Sequence, residues 1–96
     1  MKPLKMKMVA DIVKGRLCNG NGEVEIVSAV HDSRLAKENN IFVAIKGERV
    51  DGHNYINSAV EGGCRAVFVD NEECLKNVEE DIDAVLVDDK IGRAHV

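Results

Sequence analysis

Nothing in this sequence pairs its cysteines. Cys18, Cys64 and Cys74 are odd in number, and none stands in a CxxC spacing. Disulfide scaffolds and zinc sites need paired, regular spacings, so neither is expected, and the three thiols read as small residues of a reduced, cytoplasmic protein. The amino terminus MKPLKMKM carries charge with no apolar h-region behind it, which argues against a signal peptide. No apolar run approaches the ~20 residues of a membrane span. An excess of positive charge is missing too. The net charge of −4 argues against a general nucleic-acid binder, which would present a basic face.

What is present suits one small domain. Apolar residues make up 45% and charged residues 31% of the 96 residues, ordinary values for a globular chain. A chain of this length buries roughly 60–70% of its unfolded surface, enough for a core. The charge is unevenly spread. Residues 1–16 hold five cations and one acid, whereas Asn71–Asp83 holds six carboxylates and one lysine. The acidic stretch reads as a solvated face.

Met8, Val9, Ile12 and Val13 fall at helical spacing, predicting a helix over about Lys7–Lys14 with Gly15 as its left-handed terminator. Asn19-Gly20-Asn21-Gly22 is the strongest turn signal in the chain. It predicts a hairpin between a short strand at Arg16–Cys18 and the Val/Ile-rich run Val24–Val30. Ile41–Ile45 is an unbroken apolar run with polar flanks, the pattern of a strand buried on both faces. A helix over about Asn54–Glu61 follows, with Ile56, Ala59 and Val60 as its stripe and Gly62-Gly63 as its stop. Ala66–Val69 and Ala84–Val87 read as further buried strands, with a weaker helical segment near Glu72–Val78 between them. Strand, helix and strand in such succession form βαβ units. The predicted fold is α/β: a three-layer α/β/α sandwich around a mostly parallel sheet of four or five strands.

Two polar clusters follow strands. One is Asp32-Ser33-Arg34. The other is the loop Lys46–His53, with two glycines, two cations, two carboxylates and an imidazole. In open α/β sheets, ligands bind at the edge where strands end. A helix amino terminus, backbone made approachable by Gly47 and Gly52, and the charges of Lys46, Arg49 and Arg34 suit an anion with several oxygens, such as a nucleotide diphosphate. Each piece has a plainer reading. Asp32 and Ser33 bond readily to nearby backbone and cap turns. Asp51-Gly52 is a common turn pair, His53 needs no ligand at a helix start, and His31 reads as structural. Glu48 repels anions, so its side chain would serve hydroxyls or a uracil N–H.

As an ordered string the pattern is far more specific. Asp32-Ser33-Arg34, then Ile41 to Arg49 (IFVAIKGER), then Asp51-Gly52-His53 resembles the N-terminal domain of the Mur ligases. The resemblance covers about residues 6–89, and the KGER string is most similar to the D-alanyl-D-alanine-adding type. The type that adds the third amino acid is the runner-up. It implies that residues 1–90 hold the UDP end of a UDP-N-acetylmuramoyl-peptide. Carried over by position, the substrate-binding residues are Ser33, Arg34, Lys46, Gly47, Glu48, Arg49, Val50, Asp51 and His53, with Arg34 and Asp51 expected to hold the loops in shape. Asn39-Asn40 stands where the family has a Gly-Asp pair, and the left-handed conformation that Asn tolerates would preserve that turn. Val50 and Cys64 replace an aromatic and an alanine.

The family couples ligation to ATP through a G-x-x-G-K-[ST] loop and carboxylate-bound Mg²⁺, and no such string occurs here. The resemblance thus implies a piece of a longer ligase, cut short at its C-terminus. ATP and Mg²⁺ would serve the parent, whose ATPase domain would be the partner of this one. The piece alone would hold no catalytic residue, metal or cofactor. Residues 91–96 (IGRAHV) continue no pattern, resemble a translated sequencing adapter, and are expected to be a non-native tail. The competing readings are a free-standing nucleotide-sugar module and an α/β interaction domain without a ligand.

Overall fold

A computed structural model describes residues 2–44, 52–70 and 78–87. The unbroken apolar runs of the central strands organise everything else. Strand β5 (Asn40–Ala44), β6 (Ala66–Val69) and β7 (Asp83–Leu86) lie side by side in parallel. Successive side chains of a strand point to opposite faces. Phe42, Ala44, Val67, Val69 and Ala84 accordingly join one buried cluster, and Ile41, Ala66, Phe68 and Val85 join another. A strand apolar at every position thus feeds two cores.

Among the described residues, one helix lies on each face. Helix α1 (Met6–Val13) inserts Met6 and Ala10 into the second cluster. Helix α2 (Gly52–Glu61) inserts Ile56 and Ala59 into the first. Burying a side chain such as Ile56 contributes roughly 1.5–3 kcal/mol. The α/β/α layering is therefore as the sequence predicts, and so are the limits of β6.

The sheet has five strands in the order β2-β7-β6-β5-β4, where β2 is Arg16–Asn19 and β4 is Ser28–Val30. Four run parallel, and β2 joins the β7 edge antiparallel. Here one expectation fails. Strand β2 does not form a hairpin with the 24–30 run. That run breaks at Val27 into β3 (Glu25–Ile26), which pairs with β1 (Leu4–Lys5), and β4, which pairs with β5. The 19–22 turn is real, but its far side is fastened to the start of β7. Asn19 Nδ2 donates to the carbonyls of Glu79 and Ile82, both at 2.7 Å, and the Val24 N–H donates to Asp83 Oδ2 at 3.1 Å.

The end of α1 also differs. The left-handed residue is Lys14 (φ 58°), and Gly15 serves another purpose. A Cβ on Gly15 would lie 2.5 Å from Val85 Cγ1 and 2.9 Å from the Leu86 carbonyl oxygen, so glycine here admits β7. After α2 it is Gly63 that takes the left-handed region, at φ 108°. Asn39 and Asn40 do not adopt it. They hold their turn by hydrogen bonds instead, from Asn39 Nδ2 to the Glu25 carbonyl and from Asn40 Nδ2 to Ser28 Oγ. Of the predicted helix near Glu72–Val78, residues 72–77 lie outside the described residues and Val78 is not helical; residues 45–51 and the 91–96 tail also lie outside them.

Candidate functional site at the sheet edge

The connection from β4 to β5 builds one side of the site. Parallel neighbours usually need a crossover of a dozen or more residues, often a helix. Residues 31–39 make the link with consecutive turns. The Leu35 N–H donates to the Asp32 carbonyl at 2.9 Å, and the Ala36 N–H to that of Ser33 at 3.4 Å. Ala36, fully buried in the α2 cluster, anchors the turns from inside.

Strand pairing sets where these turns sit. Val30 is opposite Phe42, so Asp32 comes level with Ala44, the last residue of β5. Ala44 is opposite Val69, and Val69 opposite Leu86. All four parallel strands therefore end on one edge. Ser33 is there, and α2, which begins at Gly52, is the next element after β5. The first N–H groups of a helix lack intrahelical partners and favour anions.

Ser33 is 8% exposed, between partly open Asp32 and exposed Arg34. Asp32 does cap its turn. Its Oδ1 accepts the Arg34 backbone N–H at 2.9 Å and Nε–H at 3.1 Å, and Oδ2 accepts from Nη2 at 2.8 Å. These bonds from Arg34, side chain first and backbone second, hold the Asp32 carboxyl at about 2. The side-chain bonds to Asp32, and then its charge, raise the Arg34 guanidinium above its ordinary value.

Of the residues chosen from sequence, the structure brings Ser33 and Arg34 to this edge. Gly52 opens α2, and His53 lies in its first turn. Lys46, Gly47, Glu48, Arg49, Val50 and Asp51 lie outside the described residues. His31, read as structural, is exposed at the β4 exit. Asp70 was missed. It follows β6 onto the same edge and brings a carboxylate there, and its only signal was its place directly after the Ala66–Val69 run. Cys64 is buried, donates to the Ala66 carbonyl at 3.1 Å, and has its thiol pushed up by burial, as expected of a core residue. Cys18 is half-buried and Cys74 lies outside the described residues.

Residues 25–94 match the family model described as Mur ligase family, catalytic domain. The chain belongs to the Mur ligase family. Its relatives include the UDP-N-acetylmuramoyl-L-alanyl-D-glutamate–2,6-diaminopimelate ligase of Clostridium tetani, 37% identical across 88% of this chain and 17% of that protein. Another is the UDP-N-acetylmuramoyl-tripeptide–D-alanyl-D-alanine ligase of Bacillus subtilis, 36% identical across 90% of this chain and 19% of the relative. The fold is similar to a UDP-N-acetylmuramoylalanyl-D-glutamyl-2,6-diaminopimelate–D-alanyl-D-alanyl ligase structure from Acinetobacter baumannii, with TM-score 0.74, 26% identity, and coverage of 95% of this chain and 20% of that one. This Mur ligase chain thus spans about a fifth of the length of the relatives it matches. Among its described residues no helix is long and apolar enough to cross a membrane, and no group of three or more His, Cys, Asp or Glu is placed to hold a metal ion.

Proposed function

We propose that this chain is the N-terminal, substrate-holding domain of an ATP-dependent ligase of peptidoglycan-precursor synthesis, and that its sheet edge receives the UDP end of a UDP-N-acetylmuramoyl-peptide. One observation carries the reading. The Val30–Phe42 pairing brings the Ser33 turn level with the point where β5 releases the 45–51 loop. Ser33 and the backbone around Gly47 would face uridine and diphosphate, Lys46 and Arg49 would supply charge, and Glu48 would take a hydroxyl or the uracil N–H. Val50, Asp51 and His53 complete the loop.

The D-alanyl-D-alanine-adding type is favoured by the KGER string at 46–49. The diaminopimelate-adding type is the second reading, supported by the Clostridium tetani relative. ATP and Mg²⁺ would be held elsewhere in the full-length protein, because the sequence has no G-x-x-G-K-[ST] loop. The 96-residue chain alone is expected to bind and not to ligate.

Calorimetric titration with UDP, uridine and pyrophosphate tests this. Two or three charge-assisted hydrogen bonds give weak to moderate affinity, so UDP should bind more tightly than either part. Equal affinity for pyrophosphate and UDP would remove the uridine half of the reading. No heat with UDP at millimolar concentration would remove all of it.

A further inference from the structure

An arginine beside an anion site is ordinarily counted as a phosphate ligand. The geometry at Arg34 points elsewhere. Its Nε and Nη2 edge, which could grip a phosphate in a two-point fashion, already makes those bonds to the Asp32 carboxylate. The pair has no net charge, so its pull on a distant anion largely cancels. The same carboxylate accepts the Arg34 backbone N–H, closing a turn of the Asx type around Ser33. Asp32 therefore holds the turn from the solvent side while buried Ala36 holds it from the core. Ser33 sits between the two.

We propose that Asp32 is a positioning residue of this edge: it engages Arg34 itself and so fixes the turn that presents Ser33, leaving Arg34 outside the contacts made to phosphate. The inference rests on the nucleotide-binding reading above. It assigns affinity to a preformed turn, whose ordering need not be supplied on binding.

The sign of one substitution separates the two roles. Asp32→Asn keeps an acceptor for the Arg34 backbone N–H but removes the charge that occupies the guanidinium. If Asp32 positions the turn, Asp32→Asn weakens UDP binding roughly two- to fivefold, Arg34→Gln does the same, and the double variant is no weaker than the weaker single, because the pair acts as one unit. If Arg34 instead contacts phosphate, Asp32→Asn frees it and binds UDP more tightly than the wild type, and Arg34→Gln loses on the order of tenfold or more. That pattern overturns the proposal.

The Arg34 Nε–H resonance provides a second readout. It should be resolved in the free wild-type protein, unmoved by saturating UDP, and lost in Asp32→Asn. A large shift on adding UDP would contradict the assignment. A wild-type chain that binds no UDP overturns the functional reading and takes this inference with it, whereas binding that tightens in Asp32→Asn overturns the inference alone.

Discussion

Val30 and Phe42 lie opposite one another in the parallel pairing of β4 and β5, and from that register the Ser33 turn comes out level with the end of β5. The turn is held there by Ala36, which has no exposed surface. Enlarging that residue should push the turn outward. Ala36→Leu is expected to cost about 1–3 kcal/mol by overpacking, read by urea denaturation, and to displace the Ser33 amide signal. An unchanged midpoint would mean that Ala36 does not anchor the turn.

The two cores predict a sharp contrast between neighbours on α2. Ile56 is 2% exposed and Tyr55 is 47% exposed. Ile56→Ala should destabilise by about 2–5 kcal/mol, a large share of the stability of so small a domain. Tyr55→Ala should stay within about 0.5 kcal/mol. Chemical denaturation of both variants checks the pair.

Asp83 is a buried carboxylate with a structural task. It is 1% exposed and accepts the Val24 N–H, fastening the 19–24 segment to β7. Asp83→Ala leaves that N–H without its acceptor and is expected to cost about 1–3 kcal/mol. Hydrogen exchange at the Val24 amide should accelerate. Unaltered protection there would show that the carboxylate is not what holds the segment.

Exposed Glu23 and partly open Asp32 give the fold a modest acid sensitivity. Hydrogen bonds from Lys7 and Lys5, and then their charges, hold Glu23 at about 2, and Arg34 holds Asp32 at about 2. Both values are depressed on folding. Their contribution is therefore present above the ordinary carboxylate range, near pH 4, and is lost as pH falls through that range towards 2. Urea midpoints should be level above about pH 5 and decline below it. Glu23→Gln should flatten part of that decline, as should 1 M salt, which screens exposed pairs.

Strands β5, β6 and β7 were legible in the sequence because burial on both faces demands an unbroken apolar run, and few other structures write that pattern. The α2 stripe and its glycine stop were legible for similar reasons. The partner of β2 was not. Asn19-Gly20-Asn21-Gly22 announces a change of direction but says nothing about which strand receives β2, and that choice is made by Asp83 and Asn19 across a long sequence separation. Gly15 misled because glycine has two uses, and here close approach to Val85 outweighs helix termination. Of the site, the meeting of two strand exits was readable from the order of elements. The resemblance implied that Arg34 holds its loop in shape, but the two-point grip on Asp32 was not readable, because spacing alone does not name an arginine's partner.

Mapping UDP onto the protein by backbone amide shifts tests the central claim most directly. The account predicts that Ser33, the 46–53 amides and the first turn of α2 move together on titration, while residues at the opposite edge, such as Gly20 and Asp81, stay still. Movement confined to that opposite edge, or no movement at all at millimolar UDP, would contradict it.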